Sequence, residues 1–231
     1  MTENIALIDW DGTIRRGFTI IDWLEFLAEH YKQKKNLLYE MIEKFAEYEN
    51  GSLSHDELAN DTAYIYSNFL KGLNSDDISI LSDEFILEDK YKLFSFSIGL
   101  FEILKKYNIN SIVISGCPIE ILNSYKKIIG FEYVHGLKIR IEKKIYKNEI
   151  ITNTGISKNK EKVIKNELLL TDKLAKLSFG NSISDMPLFN NSKVSFVVNN
   201  ESIIIPSYKV DIADNNQSLI LFENEIRKMG C

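Results

Sequence analysis

The chain has 231 residues, a formal net charge of −5 and 45% hydrophobic residues. That length suits one domain with an insertion, or a core domain with a small lid, and the apolar content is ample for a packed core. The acidic balance argues against a nucleic-acid partner, no apolar run is long enough to span a bilayer, and two cysteines outside any Cys/His cluster, Cys117 and Cys231, imply neither zinc nor a disulfide framework.

In chain order, Met1-Thr2-Glu3-Asn4 runs straight into an apolar strand, Ile5 to Ile8, without the features of a signal peptide, so a cytoplasmic protein is expected. The strand ends in Asp9-Trp10-Asp11-Gly12-Thr13, a polar, Gly-containing loop. From about Thr19 to Lys90 the periodicity is helical, with roughly four helices and no convincing strand. Leu58, Thr62, Tyr66 and Leu70 fall on one face of a helix that starts at the capping box Ser54-His55-Asp56-Glu57. Ser75-Asp76-Asp77 starts another, with acids in the first turn. Trp23, Phe26 and Tyr31, at helical spacing, read as interior; His55 reads as a surface residue.

Beyond Lys90, helix and strand alternate. Phe101–Tyr107 reads as helix, Ser111–Ile114 as strand, and Pro118–Ile128 as helix with Pro in its first turn. Leu137–Ile141 and Lys144–Ile151 read as a hairpin, Lys160–Leu169 as helix, Leu177–Phe179 as strand, Asp185–Phe189 as a short helix, Val194–Val198 as strand and Leu219–Lys228 as helix. This pattern predicts an α/β fold: a doubly wound, mostly parallel, Rossmann-like sheet with a helical cap inserted after the first strand. The expected boundaries are 1–14 and 92–231 for the core and 15–91 for the cap. Ligands of such sheets bind at the carboxyl ends of the strands, which gathers Asp9, Ser115 and Gly180 on one rim.

Four elements on that rim carry chemistry. Asp9 and Asp11, two apart in an extended segment, point the same way and can divide nucleophilic attack from proton transfer. Ser115, at a strand end before a helix, offers a hydroxyl beside amides that favour an anion. A lysine in Ser157-Lys158-Asn159-Lys160-Glu161-Lys162 can neutralise a phosphate and an attacking carboxylate together. Asn181 and Asp185, in Gly180-Asn181-Ser182-Ile183-Ser184-Asp185, offer hard oxygens of the kind magnesium takes with water and phosphate. Singly these also read as a solvated turn, an N-cap, a basic turn and a capped helix start. Together they fall in order on one rim.

In this order the motifs resemble those of the haloacid-dehalogenase superfamily of phosphohydrolases, closest to its phosphoserine phosphatase-like subgroup with a helical cap. The resemblance spans nearly the whole chain. It implies Asp9 as nucleophile and Asp11 as general acid/base, with Ser115, the Gly116 amide and Lys160 holding phosphate. Lys160 is preferred because it directly precedes the apolar face at Val163 and Ile164; Lys158 and Lys162 stay open. Magnesium is implied at Asp9, Asp11, Asn181 and Asp185. The family usually has an acid where this chain has Asn181, so Asp185 is expected to carry most of the metal binding, and magnesium to bind less tightly.

The implied reaction is hydrolysis of a small phosphorylated metabolite through an aspartyl-phosphate. A phosphotransferase or mutase would use the same residues, and a receiver-like phospho-acceptor domain would need neither the cap nor Asp11. The hairpin is expected to form part of the site wall, and Cys117 to be a small packed residue. In the subgroup an acid nine positions after the nucleophile grips the substrate amine and a cap arginine holds its carboxylate. Here those positions are Phe18 and Asn60. Phosphoserine is therefore expected to be a poor substrate. Arg15 and Arg16 lie beside the loop, where they could meet a second anionic group, although surface solvation is the commoner fate of such a pair.

Overall fold

The computed structural model describes residues 4–167, 174–205, 207–215 and 217–230. Met1–Glu3, Cys231 and the end of the helix expected over Lys160–Leu169 lie outside them. Strand β1 (Ile5–Ile8) is buried on both faces, which is why its sequence is a continuous apolar run. Successive side chains alternate between two cores. Ala6 and Ile8 join the larger one, and Ile5 and Leu7 a smaller one with Ile112, Ile114, Ile164 and Leu188.

Between β1 and Lys90 run four α-helices, α1 (Thr19–His30), α2 (Lys35–Glu49), α3 (His55–Leu70) and α4 (Ser75–Asp89). The Ser54/Glu57 capping box forms, and Leu58, Thr62, Tyr66 and Leu70 are buried on the inner face of α3. Helix α4 starts at Ser75 with Asp76 and Asp77 in its first turn, as expected, and its cap is Asn74, whose side chain accepts the Asp76 amide at 2.8 Å. Trp23 is fully buried and stacks on Phe26, so the aromatic spacing is core.

The remainder is α5 (Ser97–Lys106), β2 (Asn110–Pro118), α6 (Ile119–Ile129), β3 (Tyr133–Glu142), β4 (Ile145–Thr152), α7 (Ser157–Glu167), β5 (Ala175–Gly180), α8 (Met186–Asn190), β6 (Ser192–Val198), β7 (Tyr208–Ile212) and α9 (Gln217–Lys228). Among the described residues the strands form one seven-stranded sheet, ordered β4-β3-β2-β1-β5-β6-β7. All pairs are parallel except β3–β4. Two features depart from the sequence reading. Edge strand β7 was not expected; its alternation, Tyr-Lys-Val-Asp-Ile, spans only five residues. The first hairpin strand also starts earlier than expected: β3 begins at Tyr133, pairs with β2 through Leu137, and from Lys138 pairs with β4. No described helix is long and apolar enough to cross a membrane.

The helical segment leaves and rejoins the sheet at one place. The Arg16 amide donates to Lys92 O at 2.9 Å and the Phe94 amide to Ile14 O at 3.0 Å. Arg15, read as a possible partner for a substrate anion, is instead fully buried there. Its Nε donates to Asp89 Oδ2 at 3.0 Å and its Nη2 to Asp89 Oδ1 and Asp22, while Tyr125 donates to Asp89 Oδ2 at 2.6 Å. Arg16 pairs with Asp214 at the surface and lies 4.8 Å from the Phe94 ring centre. Both arginines are thus committed within the fold. At the opposite side, the Gly72 amide donates to Tyr146 O and the Tyr146 amide to Leu73 O, each at 3.0 Å, which seams the helices to β4.

Candidate active site

The register of the central strands builds the site. Ile8 lies opposite Val113 on one side and Phe179 on the other, so the residues that follow all emerge on one rim. The Asp9 amide still donates to Phe179 O, at 3.0 Å. The chain then turns tightly: Trp10 O accepts from the amides of Thr13, Ile14 and Arg15. The Trp10 ring is buried 4.8 Å from Tyr125 and 6.0 Å from Phe131, centre to centre, and anchors the loop between the two carboxylates. Gly12 has φ +76°, a left-handed conformation that favours glycine, and a Cβ there would lie 2.2 Å from Asn181 Nδ2. Gly12→Ala is therefore expected to destabilise the fold by more than ~1 kcal/mol and to push Asn181 aside. Denaturant midpoints together with the metal concentration needed for half-maximal activity would check this.

Asp9 and Lys160 are buried, and Lys160 Nζ lies 2.7 Å from both Asp9 Oδ1 and Asp185 Oδ1. Lys158 and Lys162 are exposed. Lys160, in the first turn of α7, reaches the centre because Ile164, one turn further on the same face, packs into the smaller core and turns position 160 inward. Burial works against the ammonium, but Asp185 and Asp9 outweigh it and hold it charged. Burial and then Asp185 push the Asp9 carboxyl up to about 7, against the pull of Lys160. Burial pushes Asp11 up to about 6, although Arg15 and Thr19 favour its charged form. The Thr19 amide, at the start of α1, donates to Asp11 Oδ1 at 2.9 Å and its hydroxyl binds the same oxygen.

Ser115 and Gly116 sit on an irregularity of β2. Between the pairs Ile114–His135 and Pro118–Leu137, β2 spends two residues more than β3, a bulge that re-aims its side chains and leads into α6 at Ile119. Thus Pro118 caps α6 rather than lying in its first turn. A Cβ on Gly116 would come within 2.9 Å of Gly155 Cα, so the loop after β4 closes directly on the Ser115–Gly116 backbone. Thr154 Oγ1 donates to Ser115 O at 2.5 Å, and Asn153 Nδ2 to Ala59 O at 2.8 Å. Asn153 and Gly155 line the cavity and were not singled out from sequence. Their only signal is a polar, Gly-containing stretch between a strand and the lysine helix. Cys117 is fully buried, as expected of a packed residue.

On the far side, Asp185 accepts at Oδ2 from the Asn181 and Ser182 amides, each at 3.0 Å, and from Ser182 Oγ at 3.1 Å. With its other oxygen on Lys160, both Asp185 oxygens, expected to carry most of the metal binding, have protein partners in the lysine and the 181–182 turn. The turn is capped by Ser182. Asn181 Oδ1 accepts from Thr13 Oγ1 at 3.3 Å. Among the described residues no cage of three or more His, Cys, Asp or Glu gathers. Magnesium does not require one, because it typically takes one or two carboxylates and completes its shell with water and substrate phosphate. The residues fit that pattern: Asp9, Asp11 and Asn181 border one cavity, and Lys160 engages one Asp9 oxygen, Oδ1, leaving Oδ2 to a metal.

The cavity holds about 290 Å³ and lies between the rim and the helical segment. Asp9, Asp11, Ser115, Gly116, Lys160 and Asn181 border it, as does Leu137 of the hairpin. Asp185 stands behind Lys160. From the helices come Phe18, Ile20, Phe45, Tyr48, His55, Leu58, Ala59 and Thr62. His55, read as a surface residue, lines the cavity, because its place in the α3 cap turns it toward the rim. Asn60 does the opposite: it is exposed and outside the cavity.

No protein-family model and no curated protein matches the sequence. Solved structures match in fold. A protein of unknown function from Bordetella pertussis Tohama I superposes with a TM-score of 0.70 at 15% identity, over 87% of this chain and 92% of that one. A phospho-aspartyl intermediate analogue of phosphoserine phosphatase gives 0.62 at 15% identity, over 95% and 97%. A HAD-family hydrolase from Salmonella enterica subsp. enterica serovar Typhi gives 0.66 at 14% identity, over 95% and 71%. The resemblance read from the four motifs is thereby borne out at the level of fold: the chain has the architecture of the phosphoserine phosphatase-like haloacid-dehalogenase proteins.

Proposed function

We propose that this chain is a magnesium-dependent phosphatase that hydrolyses a small-molecule phosphomonoester through an aspartyl-phosphate at Asp9. The observation that carries the reading is the buried Lys160 ammonium, 2.7 Å from the Asp9 carboxylate, in a cavity that Asp11 also borders. A nucleophile, a proton carrier and a fixed cation are the parts that phosphoryl transfer to a carboxylate needs. The phospho-aspartyl analogue among the similar folds supports the same chemistry.

In the first step an Asp9 oxygen attacks phosphorus, the bond to the leaving oxygen breaks, and Asp11 gives that oxygen its proton. A carboxyl pushed up to about 6 by burial suits this work, since it can hold a proton near neutrality. In the second step Asp11 takes a proton from water, the water oxygen bonds to phosphorus, and the bond to Asp9 breaks. Inorganic phosphate leaves, Asp9 returns to its carboxylate form and Asp11 to its protonated form. Lys160, with Ser115 Oγ and the Gly116 amide, stabilises charge on the phosphoryl oxygens. A bound magnesium ion supplies positive charge that offsets the repulsion between anionic nucleophile and anionic substrate. Asp9, the Asp11 carbonyl and Asn181 would hold it, with Asp185 fixing the surrounding turn.

Phosphate release from a phosphomonoester panel, with no acceptor alcohol present, tests the reading. Activity should vanish with chelator and return with magnesium; full activity in excess chelator would remove the metal from the account. Asn181→Asp should lower the magnesium concentration for half-maximal rate several-fold, because it adds a carboxylate beside Asp9.

A further inference from the structure

We infer that the cavity takes a phosphomonoester whose alcohol portion is uncharged and carries an aromatic ring with a hydrogen-bonding atom that His55 reads. The inference rests on the phosphatase reading and adds the class of substrate.

The cavity has two unlike ends. All its formal charges stand at the rim, on Asp9, Asp11 and Lys160. The helical end has no arginine, lysine or acid lining it among the described residues. An ammonium or carboxylate on the leaving group would there be taken from water without a partner. What that end offers is aromatic. Phe18 stands 5.0 Å from Phe45 at a tilt of 49° and 6.3 Å from Tyr48 in an edge-on contact, centre to centre. Phe18 is 37% exposed although two rings pack on it, so part of it remains accessible to a further ring. Tilted and edge-on arrangements are those that aromatic groups prefer.

His55 joins the two ends. Its ring lies 6.2 Å from Tyr48, edge-on. Its Nδ1 is buried yet has no hydrogen-bond partner, with Asp56 Oδ1 too distant at 3.9 Å. Burial first, and then Lys160, hold the imidazole below its ordinary pKa. A neutral imidazole offers one donor and one acceptor, and a buried polar atom without a partner is a site waiting for one. The volume, about 290 Å³, accommodates a phosphoryl group and one ring.

The test compares four esters of primary alcohols with magnesium: O-phosphoserine, 2-aminoethyl phosphate, 2-phenylethyl phosphate and 2-(3-hydroxyphenyl)ethyl phosphate. Both aryl esters should exceed both charged esters by at least about tenfold in kcat/KM, mainly through KM. The hydroxyl should add a further advantage over the phenyl ester that His55→Phe removes. Phe18→Leu, which keeps the apolar bulk, and Phe18→Ala should each erode the aryl preference. A charged ester ranking first, or an aryl preference unmoved in both Phe18 variants, overturns the inference. Equal rates for the two aryl esters overturn the part given to His55. The matching non-hydrolysable phosphonates, measured by calorimetry, separate this from the reading beneath it. If no ester is hydrolysed but aryl phosphonates bind tighter than 3-aminopropylphosphonate, the phosphatase reading fails and the cavity inference stands. If esters are hydrolysed with charged ones foremost, the reverse holds.

Discussion

Asp9→Asn is expected to abolish turnover of every phosphomonoester. An amide cannot form the acyl phosphate, and removal of a covalent nucleophile lowers kcat by more than about a thousandfold. The fold should survive, because an asparagine Oδ1 can still accept from Lys160, which keeps its second partner Asp185 at 2.7 Å. Asp11→Asn should behave differently. It leaves the nucleophile in place but removes the proton carrier from both steps, so phospho-enzyme should accumulate when an ester with a good leaving group is supplied. Rapid-quench trapping with labelled substrate distinguishes the two variants. Wild-type turnover in Asp9→Asn would end the covalent mechanism.

Arg15→Met is expected to lower stability by about 3–5 kcal/mol, the range for removing one partner of a buried ion pair. The guanidinium is fully buried and serves Asp89 and Asp22 together. Without it the buried Asp89 carboxylate keeps only the Tyr125 hydroxyl among these donors. For a chain of this size each kcal/mol moves the melting temperature by about 2–4 °C, so a fall of roughly 6–20 °C should appear by calorimetry. Arg15→Met with Asp89→Leu should recover part of it, since an apolar pair leaves no unpaired charge. A melting temperature unchanged in the single variant would show that the cluster contributes nothing net.

What could be read from the sequence, and what could not, follows from how local each cause is. β1 and the capping box before α3 were legible because burial and capping act within a few residues. The four rim elements were legible as a set because each sits at a strand end. Their convergence was not visible in any one of them: Lys160 reaches Asp9 only because Ile164 is buried and turns the helix. The fates of Arg15 and His55 depended on partners far along the chain, Asp89 for one and the rim for the other. The loop at Asn153–Gly155 owes its place to contacts with Ser115 and Ala59, which no local pattern encodes. Edge strand β7 was missed because five alternating residues are a weak signal.

The paired backbone at residues 14–16 and 92–94 is a single doorway through which the chain departs and returns. Whatever is threaded between those two points leaves the alignment of β1 with β2, Ile5 with Asn110 through Ile8 with Val113, untouched. Loop-closure entropy grows only with the logarithm of length, so the excursion can gain or lose a helix at little expense to the sheet. The roof over the rim is in this sense a replaceable fitting, free to be remodelled for a different alcohol while the reacting groups keep their seats. Arg15 and Asp89 are the doorposts that any such remodelling has to keep.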